Sequence, residues 1–117
     1  MKLLKPFAFA LEGLGEMISG HNNFKVQLAI GTLVVFAGIF FQFRQEEWMV
    51  LILAIGLVLA AEMANSAIEA VVDLITKERK LDAKKAKDIA AGMVLLASGL
   101  SIIIGIFLFG PRLLRFL

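Results

Sequence analysis

The sequence predicts an all-α membrane protein in which an N-terminal amphipathic surface helix precedes three transmembrane helices. Three observations predict this fold: a very apolar composition, two long stretches without charge, and a third apolar stretch that turns polar at one end. Hydrophobic residues make up 60% of the chain and charged residues 19%, with a mean hydropathy of +0.88. Soluble domains are nearer half apolar and about a quarter charged, and small domains bury the smallest share of their chain. The composition therefore excludes an ordinary soluble enzyme and a disordered tail.

The whole chain, residues 1–117, is expected to form one domain. It contains no cysteine, which excludes a small secreted module held by disulfides. It has 2 prolines and no stretch rich in serine and glycine, so no interdomain linker is predicted.

The first element is a surface helix over about residues 6–20. At helical spacing Glu12 and Glu16 lie away from an apolar face, as in a helix that lies along a membrane surface. The two glutamates also interrupt any apolar core of a signal peptide. A frayed cytosolic segment is the alternative. The apolar face consists of Phe7, Leu11, Leu14 and Ile18.

The three predicted spans follow in order. Residues 26–43 and residues 89–109 contain no charged side chain, and about 20 apolar residues in a helix cross a hydrocarbon core of about 30 Å. The middle span begins at Trp48, covers residues 48–67 and continues as helix to residue 76. A tight hairpin at residues 44–47 is expected to join the first two spans.

The distribution of basic residues predicts the orientation of the chain. Short cytosolic loops carry an excess of lysine and arginine, which predicts a cytosolic N-terminus and a C-terminus outside. The net charge of +2 and the lack of a basic surface with interleaved aromatic residues give no support to a nucleic-acid partner; lipid headgroups or phosphates suit the basic loop better. The cytosolic side then holds Lys2, Lys5, Lys25, Lys77, Arg79, Lys80, Lys84, Lys85 and Lys87, and the other side Arg44, Arg112 and Arg115.

The stretch EMANSAIEAVVD, residues 62–73, places five polar side chains on one narrow helix face. With one residue every 100° or so, all five fall within about 60° of Glu62. An ionised carboxylate costs about 2.5 kcal/mol or more in hydrocarbon, so it faces a bundle interior or a wet cavity and commonly marks function. The alternative is a purely structural role, in which Glu62 and Asn65 only hydrogen-bond to neighbouring helices. The five are Glu62, Asn65, Ser66, Glu69 and Asp73.

The depth of these acids suits a reaction between a lipid group and a cytosolic reagent. Glu62 is expected to be submerged, Glu69 near the cytosolic boundary and Asp73 outside it. Glu62 is then placed to act as a general base toward a lipid hydroxyl, and the wetter carboxylates to hold Mg²⁺ with nucleotide phosphates. In the following basic loop, Lys87 is the candidate phosphate contact, although a solvated anchor is the ordinary role of such a loop. No P-loop or protein-kinase motif is present.

Residues 62–73, followed by Ala86, Lys87 and Asp88, resemble the signature of the prokaryotic diacylglycerol kinase family, which includes undecaprenol kinases. The resemblance extends to the N-terminal helix, the three spans and an Asn-Phe-Lys step at residues 23–25. It implies a kinase of the bacterial plasma membrane that transfers the γ-phosphate of ATP to a lipid hydroxyl, on undecaprenol or diacylglycerol. It also implies a homotrimeric bundle in which neighbouring protomers share active sites.

The resemblance implies a role for each matching side chain. Glu62 matches the catalytic base, and Glu69 matches a carboxylate that binds the Mg²⁺ accompanying ATP. Two polar positions match residues that support the site: Asn65 and Asp73. Three match nucleotide contacts: Glu78, Lys87 and Asp88.

Two positions at the N-terminal end are ambiguous. The family's second metal-binding glutamate falls on His21, and imidazole is a poor ligand for Mg²⁺. Either Asn22 or water replaces the missing oxygen, Glu16 reaches in, or the metal binds more weakly; the ordinary role of such a histidine is interfacial. Phe9 stands where an aromatic residue near the adenine is expected, and insertion into the membrane is its equal alternative.

Two rival functions use the same sequence features. In a small oligomeric transporter or channel, Glu62 would be an intramembrane ion site, but such a protein has no use for Glu69, Asp73 and Lys87 gathered at one mouth. In a subunit that serves only for assembly, the polar helix face of residues 62–73 has no purpose. The sequence therefore favours the lipid kinase.

Overall fold

The computed structural model describes residues 2–117 and contains helices α1 (Leu4–Gly20), α2 (Asn22–Phe40), α3 (Gln45–Ile75) and α4 (Leu81–Leu114). No strand occurs within residues 2–117. Helices α2, α3 and α4 are each long and apolar enough to cross a membrane. The predicted all-α membrane fold is confirmed.

The turn between α2 and α3 covers residues 41–44 instead of the expected residues 44–47. Gln42 adopts a left-handed φ of 55°, and the backbone N–H of Phe43 donates to the carbonyl of Gly38 at 3.0 Å. This Schellman arrangement satisfies carbonyls at the end of a helix. It ends α2 before the predicted boundary at residue 43.

An ion pair holds the end of the bundle next to this turn. The guanidinium of Arg112, in the last turns of α4, donates to both carboxylate oxygens of Glu47 at 2.6 and 2.8 Å. It also lies 4.7 Å from the ring centroid of Phe43. The backbone N–H of Arg44 donates to Glu47 at 3.1 Å, so one carboxylate caps α3 and fastens α4 to it. Bidentate pairs of this kind fix geometry as well as adding attraction.

Helix α4 begins well before the predicted span at residues 89–109, because much of the expected basic loop is helical. Alanine and lysine are good helix formers, and Asp82 in the first turn of α4 complements the helix dipole. The loop between α3 and α4 is reduced to residues 76–80. Lys87 and Asp88 therefore lie on a helix.

Small side chains let α3 and α4 pack closely as an antiparallel pair. The hydroxyl of Ser101 on α4 donates to the Ala54 carbonyl on α3 at 3.2 Å. Close approach through small residues is the usual means of helix association in membranes. The buried alanines of the pair are Ala54, Ala61, Ala90 and Ala97.

Gly38 on α2 packs tightly against the ring of Trp48 on α3 and the ring of Phe43 in the turn. A Cβ at Gly38 would lie 2.9 Å from Trp48 Cη2 and 3.1 Å from Phe43 Cδ2. We expect overpacking in Gly38→Ala to cost about 1–3 kcal/mol; less the gain of about 1 kcal/mol in helix propensity, the net loss of stability is up to about 2 kcal/mol. The melting temperature in detergent should fall. Gly56→Ala is the matched control, since a Cβ there meets nothing within 4 Å; equal melting temperatures for the two variants would contradict this packing.

The exterior of the structure is apolar on α1 as well as on the long helices. Helix α1 packs against α2, yet the predicted apolar face stays exposed at Phe7, Leu11, Leu14 and Ile18. Contiguous apolar surface of this extent marks contact with a membrane or a partner. The exposed apolar face of α1 fits a surface helix, which begins at Leu4 in place of residue 6.

Candidate functional site

A polar pocket of about 260 Å³ lies between the α1–α2 junction and the polar face of α3. We call it the polar pocket. The chain leaves α1 in an extended conformation at His21, which turns the start of α2 toward α3. The lining residues are Gly20, His21, Asn22 and Asn23 from the junction and Glu62, Asn65, Ser66 and Glu69 from α3.

Burial decreases along the α3 side of the polar pocket. Glu62 is 7% exposed and is the one buried charged side chain within residues 2–117. Asn65 and Ser66 are half-buried, and Glu69 is exposed. With a rise of 1.5 Å per residue, Glu69 lies about 10 Å from Glu62 along the helix axis. The pocket therefore has a buried acid at one end and an open acid at the other.

One buried oxygen acceptor in the polar pocket lacks a donor within residues 2–117. The amide nitrogen of Asn65 donates to Glu69 Oε1 at 3.3 Å, whereas the buried Asn65 Oδ1 has no hydrogen-bond partner in the described part of the chain. Ser66 Oγ lies 3.5 Å from His21 Nδ1. Buried polar atoms are normally paired, so an unpaired acceptor calls for a donor or an ion.

The donor set of the polar pocket fits a magnesium ion that is shared with phosphates. Mg²⁺ prefers oxygen ligands and is usually held by one or two carboxylates, water and substrate phosphates. Glu69 and Asn65 Oδ1 supply such oxygens, while the His21 imidazole suits zinc or copper better. In residues 2–117, no three histidine, cysteine, aspartate or glutamate side chains group closely enough to hold an ion by themselves. The remaining ligands would have to come from a phosphate and water.

A second pocket, of about 660 Å³, lies between the α3–α4 loop and the first turns of α4. We call it the basic pocket. It is lined by all three residues that the family resemblance predicts as nucleotide contacts: Glu78, Lys87 and Asp88. A concentration of positive charge in a cleft attracts anions. The other charged lining residues are Lys77, Arg79, Lys80 and Lys84.

An ion pair joins the basic pocket to the polar face of α3. Lys87 Nζ donates to Asp73 Oδ1 at 2.6 Å, and these side chains are 41% and 53% exposed. Asp73 lies one helical turn beyond Glu69 on the same face of α3. The line of acids on α3 therefore runs from the polar pocket to the edge of the basic pocket.

Among the predicted site residues, Phe9 neither lines a pocket nor pairs with a residue that does. It lies on α1, is 66% exposed and lines neither pocket within the described residues. The sequence placed Ser66 on the polar face of α3 and Asn23 in the Asn-Phe-Lys step, but it did not predict that both line the polar pocket. The run of polar residues 21–23 between two apolar helices is the signal that marks this junction.

The chain matches a protein family and several curated proteins. Residues 8–109 match the family model described as Prokaryotic diacylglycerol kinase. The chain is 38% identical over 112 residues to the undecaprenol kinase of Bacillus subtilis (strain 168), covering 96% of this chain and 91% of that protein. It is 36% identical over 113 residues to the diacylglycerol kinase of Synechocystis sp., covering 96% of this chain and 65% of that protein. It is 29% identical over 95 residues to the diacylglycerol kinase of Haemophilus influenzae, covering 81% of this chain and 80% of that protein.

Proposed function

Because this chain belongs to the prokaryotic diacylglycerol kinase family and is a lipid kinase, we propose that it transfers the γ-phosphate of ATP to the hydroxyl of undecaprenol or diacylglycerol. The observation that carries this proposal is the line of acids on α3, buried at Glu62 and open at Glu69. It connects an apolar environment, where a lipid alcohol resides, with a basic pocket suited to polyphosphate.

Glu62 is the proposed general base. Its carboxylate accepts the proton of the lipid hydroxyl while that oxygen attacks the γ-phosphorus, and the bond from phosphorus to the β-phosphate oxygen breaks to release ADP. Phosphoryl transfer asks the protein for positioning and charge compensation instead of covalent chemistry. The burial of Glu62 supports this role, because it keeps water away from the base.

Glu69 and Asn65 are the proposed holders of the Mg²⁺ that accompanies ATP, and Asp73 supports the site beside them. The bound ion supplies neutralisation of phosphate charge. His21 stands at the opposite wall of the polar pocket, where its contact with Ser66 gives it a positioning role. We propose no adenine contact for Phe9, because it lines neither pocket.

The proposed assembly is a homotrimer in the bacterial plasma membrane, with a cytosolic N-terminus, an external C-terminus and active sites shared between protomers. Two features support it. The α3–α4 loop, residues 76–80, is basic, as cytosolic loops are. The polar pocket has its lining on α3 and the α1–α2 junction alone in the described residues, which leaves room for a neighbouring protomer to complete it.

Lys87 is the proposed phosphate contact of the basic pocket. We expect Lys87→Met to raise the apparent KM for ATP about tenfold or more, because a charge-assisted hydrogen bond is worth about 1.5–3 kcal/mol. The melting temperature should change little, since the exposed pair with Asp73 contributes about 0–1 kcal/mol. Lys85→Met on the same helix is the control, because Lys85 is exposed. An unchanged KM in Lys87→Met would contradict the assignment.

The experiment that tests the proposed function uses purified protein in mixed micelles with ATP and Mg²⁺. Undecaprenol and diacylglycerol are offered side by side, and formation of lipid phosphate and ADP is measured. One lipid phosphate should form for each ADP. A transporter or channel would instead move solute through vesicles without consuming ATP, and absence of lipid phosphate from both alcohols would overturn the proposal.

A further inference from the structure

Two lysines of the basic pocket already have carboxylate partners from the same chain. Lys87 Nζ lies 2.6 Å from Asp73 Oδ1, and Lys84 Nζ lies 2.6 Å from Asp88 Oδ2. The first pair joins α4 to α3, and the second joins successive turns of α4. An anion that binds to either lysine must therefore displace a carboxylate.

The charge of the basic pocket is smaller than its number of cations suggests. Five cationic and two carboxylate side chains line it, and Asp73 at its edge is a third carboxylate. Five positive charges less three negative charges leave a net charge of +2. An anion with one charge is attracted weakly by such a mixed set, whereas a polyphosphate contacts several of the cations at once.

The basic pocket lies at the level of lipid headgroups. Leu74 and Ile75 at the end of α3 are exposed, as is Leu81 at the start of α4, and Leu81 lines the pocket. Contiguous exposed apolar side chains mark contact with a membrane or a partner, and the anionic lipids of a cytosolic leaflet are attracted to lysine and arginine. Phospholipid phosphates are therefore near these lysines and compete with ATP for them.

We propose that Asp73 is a specificity-determining residue: as the counter-ion of Lys87, it keeps phospholipid phosphates out of the basic pocket and admits the metal-bound polyphosphate of ATP. The inference rests on the proposed function. Asp88 has the same effect at Lys84. An exposed ion pair changes an equilibrium by a factor of at most about five, so a ligand with several phosphate contacts can break it, whereas a single headgroup phosphate recovers little from the exchange.

Asp73 distinguishes the two anions by the cation that accompanies one of them. It lies one turn after Glu69, the proposed metal ligand, on the same face of α3. When ATP takes over Lys87, the released carboxylate of Asp73 has a cation near Glu69, one helical turn away. When a headgroup phosphate takes over Lys87, the same carboxylate meets a second anion. Two like charges about 4 Å apart weaken binding about fivefold in bulk water, and more in a less polar environment.

The test measures the affinity for ATP in the presence of Mg²⁺ in vesicles of two compositions. The protein is placed in phosphatidylcholine vesicles or in vesicles with one phosphatidylglycerol for every two phosphatidylcholines, without lipid alcohol, so that no lipid is phosphorylated. The readout for each variant is the ratio of the two Kd values, anionic over neutral. We expect the ratio in Asp73→Asn to exceed that of the unmodified enzyme at least fivefold, because headgroups then occupy Lys87.

Asp82→Asn is the matched control. Asp82 lies in the first turn of α4, is exposed and, in the described part of the chain, lies outside the lining of the basic pocket. The chemical change is the same, so both variants gain the same attraction to an anionic membrane, and the membrane repels ATP equally in both. The Kd ratio of Asp82→Asn should equal that of the unmodified enzyme. Equal ratios for Asp73→Asn and Asp82→Asn would overturn the proposal.

The lysine that Asp73 neutralises provides a second test. In the double variant Asp73→Asn with Lys87→Met, no released ammonium group remains at residue 87 to bind headgroups, so the Kd ratio should return to that of Asp82→Asn. A ratio that stays high would show that headgroups bind elsewhere and would overturn the proposal. Failure of the proposed function is distinguishable, because the unmodified enzyme would then form no lipid phosphate from either alcohol. If only this inference fails, lipid phosphate forms and Asp73→Asn has the Kd ratio of Asp82→Asn.

Discussion

Replacing Glu62 by glutamine is expected to lower the rate of lipid phosphorylation by about 10²–10⁴-fold, the usual contribution of a general base. The amide keeps the size of the side chain but cannot accept the proton of the lipid hydroxyl. ATP should still bind with an affinity close to that of the unmodified enzyme, because Glu62 lies at the buried end of the polar pocket, away from the basic pocket. The measurement is lipid phosphate formation, with nucleotide binding followed separately.

The matched control for this prediction is Glu46→Gln. Glu46 lies on the same helix, in the first turn of α3, and is exposed at the end far from both pockets. The chemical change is identical, so any general effect of removing a carboxylate from α3 should appear in both variants. A Glu62→Gln enzyme that turns over at the rate of Glu46→Gln would show that Glu62 is not the base.

The second large effect is expected from Glu69→Gln, which should raise the apparent KM for Mg-ATP about tenfold to a hundredfold. The range follows from a charged contact worth about 1.5–3 kcal/mol, with 1.4 kcal/mol for each factor of ten. The loss should shrink as free Mg²⁺ is increased, because the substitution weakens one ligand and leaves the phosphates and Asn65 in place. Initial rates over a grid of ATP and Mg²⁺ concentrations measure both effects.

Glu12→Gln is the control for the Glu69 variant. Glu12 is an exposed glutamate on α1 that lines neither pocket in the described residues. Its KM for Mg-ATP should equal that of the unmodified enzyme. If Glu69→Gln behaves like Glu12→Gln at every Mg²⁺ concentration, then Glu69 is not a metal ligand.

Features that depend on local spacing were predictable from the sequence. The three membrane-crossing helices follow from runs of apolar residues, and the polar face of α3 follows from the 3.6-residue period of a helix. The burial of Glu62 and the exposure of Glu69 follow the expected order of depth. These properties are set by neighbours along the chain.

Features that depend on contacts between distant residues were not predictable. The approach of His21 to Ser66 and the pairing of Arg112 with Glu47 join residues on different helices.

Two helix ends were also missed, for local reasons. The start of α4 at Leu81 was hidden by a run of charges that looks like a loop but has good helix propensity. The left-handed residue that ends α2 is a glutamine, although glycine is the usual signal for such a turn.

The most direct test of the central claim is the accessibility of single cysteines along α3. The natural chain contains no cysteine, so Glu62→Cys, Glu69→Cys and Lys77→Cys each introduce one thiol. In sealed vesicles of known orientation, a membrane-impermeant maleimide should label residue 77 fast, residue 69 more slowly and residue 62 least, all from the cytosolic side. Labelling of residue 62 from the opposite side, or of residues 69 and 77 from different sides, would contradict a line of acids that connects a lipid alcohol with cytosolic ATP.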